Sequence, residues 1–263
     1  MTHARKRFGQ HFLEAAWARK VVDAIAPSDA DTFLEIGPGR GALTRPLASR
    51  ARRVVAVELD RDLAAELEAE HLGGLTVVQG DFLRTDVDTL GLPADTRVAG
   101  NLPYNVSSPI LIRLLELSAT PHRFRDATVM LQKEVADRVL AGPGGRDYGP
   151  LAIFVAVAAK PSRLLTLPPG AFRPMPEVTS AVVRLDFSAA EPVSLPSTFG
   201  PLVRGIFTMR RKVLANALAP VAASLNRQPA AVLDSAGVDG RRRPETLAVG
   251  ELVRLAEALR GPD

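Results

Sequence analysis

The strongest constraint on this fold is an alternation. Through the first two-thirds of the chain, short β-rich runs take turns with helix-patterned segments. Strands are expected at Thr32–Ile36, Arg53–Glu58, Leu75–Gln79, Thr96–Gly100, Ala127–Leu131, Arg163–Leu167 and Thr179–Phe187. Several are continuously apolar, as strands covered on both faces should be. Helices are expected at Glu14–Ala26, Ala42–Ser49, Asp60–His71, Ser108–Leu117 and Lys133–Leu140. A chain written this way builds an α/β domain: a mainly parallel sheet with helices on both faces. The run Leu151–Ala159 fits either a strand or a buried helix.

Ser188–Gly200 is rich in Ser, Pro and Ala and reads as a linker. Beyond it the β signal stops, and Pro201–Leu218, Gln228–Asp234 and Glu245–Leu259 read as helices. The expected division is a sheet domain over 1–187, a linker over 188–200 and a small helical domain over 201–263. Hydrophobic residues make up 46% of the 263, enough for a full core. There is no Cys, which excludes disulfides, thiolate metal sites and a Cys nucleophile. The four histidines show no metal-ligand spacing, and no metal is expected. No apolar run approaches the roughly 20 residues of a membrane helix, and the basic N-terminus lacks a signal-peptide core, so a cytoplasmic protein without a membrane partner is expected.

The net charge is +4, and its distribution is uneven. The last 63 residues hold ten Arg/Lys and six Asp/Glu, while the first 200 balance. Arg5, Lys6 and Arg7 crowd the N-terminus. Two basic ends on a neutral body fit a polyanionic partner, although a solvated surface would look the same.

Phe33 to Gly41 reads FLEIGPGRG: a buried strand carrying Glu35, then Gly37, Gly39 and Gly41. Such glycines let the backbone turn sharply and approach a ligand at the carboxyl end of the first strand. The spacing is neither that of a dinucleotide fold nor that of a P-loop. The second strand ends at Glu58, whose two oxygens suit a ribose diol. Asp81 closes the third and suits an adenine amino group, with Phe82 beside it to cover the ring. A glycine turn alone also fits a bend with nothing bound. Acidic residues at three successive strand ends describe an adenosine without a phosphate cradle, and S-adenosyl-L-methionine fits this better than a nicotinamide dinucleotide.

Asn101-Leu102-Pro103-Tyr104 follows the fourth strand. The lone pair of an adenine N6 is delocalised into the ring, so that nitrogen is a poor nucleophile. The Asn101 side-chain oxygen and the Leu102 carbonyl can each accept one N6 hydrogen and draw the nitrogen toward tetrahedral geometry. Pro103 bends the chain there, and Tyr104 can stack on the base. Positioning and electrostatics then suffice, without a strong general base. A structural turn, with Asn capping the following helix, is the alternative.

These blocks resemble the rRNA adenine N6,N6-dimethyltransferase family, most closely its branch acting on bacterial small-subunit (16S) rRNA. The resemblance runs nearly end to end: RFGQHFL (Arg7–Leu13), LEIGPGRGALT (Leu34–Thr44), QGDFL (Gln79–Leu83), GNLPYNVSSP (Gly100–Pro109), VMLQKEVADR (Val129–Arg138), FRPMPEVTSAVVRL (Phe172–Leu185) and RRKVLANAL (Arg210–Leu218). It implies a Rossmann-like class I methyltransferase sheet of seven strands, the last antiparallel, with Leu151–Ala159 as a helix. It implies that His11, Leu13, Gly37, Gly39, Glu58, Asp81, Phe82 and Asn101 meet S-adenosyl-L-methionine. It also implies that Asn101 to Tyr104 hold a flipped adenine while Phe172 covers its other face. The implied substrate is a pair of adjacent adenosines in a hairpin near the 3′ end of 16S rRNA, within the 30S subunit, and the implied enzyme is a monomer acting in ribosome biogenesis. The chain departs from the commonest pattern at His11, where Asn is frequent, and at Glu177, where Lys is frequent.

On one continuous helix from Ile206, turning about 100° per residue, Ile206, Val213, Leu214 and Ala217 share a face. Arg210 falls within that stripe, and is expected to pair with a buried acid or a carbonyl at the domain junction. Arg211, Lys212 and the Arg241–Arg243 cluster are candidates for RNA phosphate contact or plain surface charge. Three other functions remain to be weighed: a large-subunit rRNA resistance methyltransferase, a non-catalytic RNA-binding assembly factor, and a DNA adenine methyltransferase, for which the tail is small.

Overall fold

The computed structural model describes residues 11–189 and 195–260. Arg5, Lys6 and Arg7 of the basic N-terminus, and 190–194 of the expected linker, lie outside the described residues. The described residues group into two compact units. One comprises 11–136 and 158–189, the other 137–157 and 195–260.

In chain order the first unit contains β1 (Phe12–Leu13), α1 (Ala15–Ile25), β2 (Thr32–Ile36), α2 (Thr44–Ala48), β3 (Arg53–Glu58), α3 (Arg61–Glu68), β4 (Leu75–Gln79), β5 (Thr96–Asn101), α4 (Ser107–Ser118) and β6 (Phe124–Gln132). After α5 (Lys133–Val139) and α6 (Pro150–Ala158), inside which the two units divide, it resumes with β7 (Lys160–Leu167), β8 (Phe172–Arg173) and β9 (Ser180–Asp186). Seven strands form one sheet in the order β4-β3-β2-β5-β6-β9-β7. β9 runs antiparallel to both neighbours, and the remaining pairs are parallel. This is the expected sheet, and Leu151–Ala159 falls in a helix, as the resemblance implied.

Every residue of β2 is buried, which explains its unbroken apolar run; β4, at the sheet edge, is only partly covered. β2 is the chain's turning point. Successive strands are laid outward through β3 and β4, and the chain then returns to place β5 on the other side of β2. In open α/β sheets the crevice at the carboxyl ends of such strands is where ligands bind.

Beneath the sheet's other end, Arg97 is 4% exposed yet charged. It sits 3.0 Å from carboxylate oxygens of both Asp31 and Asp126, and donates to the carbonyls of Ile25 (2.8 Å) and Ala26 (3.1 Å). Burial of this kind is tolerated only with such complete pairing. The network ties α1, β5 and β6 together.

The second unit holds α7 (Phe199–Thr208), α8 (Leu214–Ser224), α9 (Pro229–Ala236) and α10 (Val249–Arg260) around its own apolar core. The sequence reading assigned 137–157 to the sheet domain. In the structure Tyr148, Ala152 and Ile153 enter the helical core instead, and the Tyr148 hydroxyl donates to the Leu247 carbonyl at 2.9 Å. The single helix expected over Pro201–Leu218 is two helices. α7 stops at Thr208 and α8 begins at Leu214, because the N–H groups of Leu214 and Ala215 are taken by the carbonyls of Arg242 (2.7 Å) and Gly240 (2.9 Å). A helix's first N–H groups need outside partners, and these supply them. Val213 therefore leaves the apolar face and is 38% exposed. Arg210 does find an acid and a carbonyl, Glu245 at 2.9 Å and Arg146, both inside this unit.

Candidate active site

The cleft opens where β2 and β5 part. After Ile36 the backbone passes through Gly37, Gly39 and Gly41, at φ of +65°, +57° and +74°, the left-handed region that side chains disfavour. At Gly39 space is also tight: an added Cβ would lie 3.3 Å from the Phe12 ring. The loop is held from β3, with Gly37 N–H donating to the Val57 carbonyl at 3.0 Å and Gly39 N–H to Glu58 Oε2 at 2.8 Å.

Glu58 is buried, and its second oxygen accepts the Asp60 N–H at 2.8 Å. A carboxylate has about four lone-pair sites, so each oxygen can still accept a hydroxyl. Burial raises the Glu58 pKa, with the Asp60 carboxylate adding to the shift against three backbone N–H groups that lower it. Glu35 lies at the cleft floor. Its carboxyl is pushed up to about 8 by burial, with the Glu58 charge adding, so it is largely protonated at neutral pH. Its Oε2 has no hydrogen-bond partner among the described residues. Asp81 accepts the Leu83 N–H at 2.9 Å and faces the same cleft, as do Phe82 and Leu59. Leu59 is 50% exposed, an apolar platform that the sequence reading missed, because one Leu after a strand carries no periodic signal.

At the end of β5 the Asn101 amide is held in one orientation. Its Nδ2 donates to the His11 carbonyl at 2.9 Å, leaving Oδ1 as an acceptor. Asn101 does not cap α4, whose N-cap is Val106. Tyr104 donates to or accepts from Ser180 Oγ at 2.7 Å, and its ring stacks on His11 at 5.2 Å with 29° between planes. Burial raises the Tyr104 pKa against that hydrogen bond, which keeps the phenol neutral. The His11 ring nitrogen Nδ1 donates to the Pro174 carbonyl at 2.8 Å. Pro103 and Leu102 complete this wall.

His11 and Leu13 reach the cleft through a two-strand ribbon. β1 pairs antiparallel with β8, Phe12 opposite Arg173 and Leu13 opposite Phe172. Two-residue strands leave no pattern in a sequence, and the ribbon was not anticipated. It corrects the expectation for Phe172. That ring is 0% exposed, packed into the apolar cluster with Leu13, Ala171 and Val182, and offers no face to a base. The other residues expected at the site, namely His11, Leu13, Gly37, Gly39, Glu58, Asp81, Phe82 and Asn101 to Tyr104, line one cleft.

Comparison with known proteins points the same way. The sequence profile of the family described as ribosomal RNA adenine dimethylase matches residues 1–260. The "Ribosomal RNA small subunit methyltransferase A" of Pseudomonas fluorescens is 42% identical over 262 residues, covering 97% of this chain and 94% of that protein. Its namesake in Aromatoleum aromaticum is 43% identical over 256 residues, covering 96% and 92%. Among solved structures, a dimethyladenosine transferase from Plasmodium falciparum superposes with a TM-score of 0.78 at 25% identity, covering 93% of this chain and 96% of that one. The 23S rRNA methyltransferase ErmE gives 0.66 at 27%, covering 95% and 99%.

Proposed function

The chain belongs to the ribosomal RNA adenine dimethylase family, and we propose that it dimethylates N6 of two adjacent adenosines in a hairpin near the 3′ end of 16S rRNA. The observation that carries this reading is the locked Asn101 amide. One Nδ2 hydrogen is held by the His11 carbonyl, which fixes the amide and leaves Oδ1 as its acceptor.

The cleft fits S-adenosyl-L-methionine. The glycine loop leaves space where a Cβ at Gly37 would meet nothing within 4 Å, and the protonated Glu35 keeps an unpartnered oxygen on the floor. Glu58 would take the ribose hydroxyls, Asp81 the adenine amino group, and Phe82 with Leu59 the ring. When bound, this cofactor supplies an electrophilic methyl group on a sulfonium.

Asn101 Oδ1 accepts one N6 hydrogen of the target adenine and the Leu102 carbonyl the other. These bonds draw the nitrogen out of conjugation and aim its lone pair. Tyr104 stacks on the base, its angle fixed by Ser180. The proton on N6 turns acidic once the nitrogen is alkylated, so the site needs acceptors rather than a strong base. A monomethylated base still offers one N6 hydrogen to the same acceptors, which permits a second round.

The substrate is read as the 30S subunit, and the enzyme as a cytoplasmic monomer; among the described residues no helix is long and apolar enough to cross a membrane. The ErmE likeness supports a second reading, methylation of 23S rRNA. The identity of 42–43% to small-subunit methyltransferases, against 27% to ErmE, favours the first. The test is transfer of labelled methyl to unmethylated 30S particles, protein-free large-subunit rRNA and duplex DNA, followed by nucleoside analysis. N6,N6-dimethyladenosine arising only with 30S particles is the expected result. Label in large-subunit rRNA selects the second reading, and label in DNA or in nothing overturns both.

A further inference from the structure

Methylating an adenine in a hairpin leaves a gap. A base that enters the cleft has left its stack, and unstacking is costly unless something takes its place. The segment 174–179 is anchored beside two cleft-lining residues, His11 and Tyr104. The Pro174 carbonyl accepts from His11, which stacks on Tyr104. At the other end the Thr179 carbonyl accepts the Lys133 N–H at 2.9 Å, and Ser180 bonds the Tyr104 hydroxyl. Pro176 is buried between these anchors.

What this segment shows outward is mostly apolar, with Glu177 its one exposed charge. Met175 is 64% exposed and Val178 43%. Single exposed apolar residues need no explanation, but these two share six residues fixed to the catalytic wall. The segment contains no cation and one carboxylate, Glu177. Phosphate attraction therefore cannot be its contribution to an RNA complex. Met175 directly follows the residue that holds His11, about 3.8 Å along the backbone. An unbranched, polarisable side chain at that place is of the kind that proteins insert between bases.

We infer that Met175 is the wedge that fills the RNA stack when the target adenine is drawn onto Tyr104. The inference rests on the RNA reading above and assigns the extrusion step of that reaction to a residue outside the cleft. Met175 acts on the neighbours of the target base, so it is a positioning residue rather than a catalytic one. Leu should replace it, whereas Ala should not.

The test uses the full chain, S-adenosyl-L-methionine and unmethylated 30S particles reconstituted around 16S rRNA whose tandem-adenosine hairpin takes three forms. One is native, one carries 2-aminopurine as the target base, and one has an abasic site beside the target so that no stack remains to be filled. The wedge predicts that Met175→Ala slows single-turnover transfer to the native hairpin about tenfold and loses the 2-aminopurine fluorescence rise, with Met175→Leu close to wild type. On the abasic-neighbour hairpin Met175→Ala should match wild type, and its cofactor affinity should be unchanged. Equal rates of Met175→Ala and wild type on the native hairpin overturn the wedge. So does an equal loss on both hairpins, which would mark a structural role for the loop. A wild-type enzyme that forms no N6,N6-dimethyladenosine on particles carrying the native hairpin fails at the underlying reading instead.

Discussion

A single hydrogen bond decides what Asn101 can do. The Asn101 amide carries two N–H donors and one acceptor oxygen, and the bond to the His11 carbonyl anchors its nitrogen side and so sets the direction of Oδ1. Replacing Asn101 with Ala should lower methyl transfer by about 100-fold or more, with cofactor affinity changed only a few-fold. Isothermal titration beside a transfer assay separates the two, and loss of cofactor binding would mean that Asn101 serves the cofactor first. Glu35 makes a different prediction. Its folded pKa is raised to about 8, so the unfolded chain ionises earlier as pH rises. That raised value favours the folded state fully below the ordinary glutamate range near 4.5, and the advantage is lost as pH climbs toward 8. Glu35→Gln should therefore raise Tm relative to wild type at pH 8 and change it little near pH 4. A Tm difference independent of pH would refute the assignment. The sequence disclosed these residues because glycines, acids and the Asn101–Tyr104 block each sit at a strand end. It could not disclose the burial that neutralises Glu35, nor the one that withdraws Phe172 from the cleft.

Between elements, the closest approach to main chain among the described glycines lies where β5 passes β2. A Cβ on Gly100 would stand 2.8 Å from the Ile36 carbonyl oxygen, which is main chain and cannot turn aside. Gly100→Ala should push β5 outward, cost about 1–3 kcal/mol of stability and displace the next residue, Asn101. A fall in Tm together with a fall in kcat is expected, and full activity at wild-type Tm would contradict it. Buried strands were legible because their apolar runs are short and bounded by turn residues, as strands covered on both faces are. The ends of α7 and α8 were not. The Arg210–Val213 stretch is compatible with helix, and the break is imposed by the carbonyls of Gly240 and Arg242, nearly thirty residues on. The all-apolar α6 has no polar side to show which core it joins, which is why its placement with the C-terminal helices escaped the pattern.

Across the whole molecule the charge count divides into spent and unspent cations. Arg241 and Arg242 are tied to Asp239 and Glu251, and Arg210 to Glu245. Arg211, Lys212 and Arg243 are exposed and have no acidic partner among the described residues. If these meet phosphate, replacing all three with Ala should make the plot of log binding constant against log salt shallower by about 2–3. An unchanged slope would place the RNA elsewhere.

The composition of the helical unit from 137–157 and 195–260 has a consequence for how the protein is made. A ribosome delivers α6 and Tyr148 long before the helices that enclose them, with strands of the other unit emerging in between. Those apolar side chains must wait for the C-terminus. A messenger cut short after 187 would yield a chain with Tyr148, Ala152 and Ile153 stripped of cover, a sticky product rather than a smaller enzyme. Cleavage in the 188–200 stretch of the finished protein would likewise sever the backbone without freeing a self-sufficient piece.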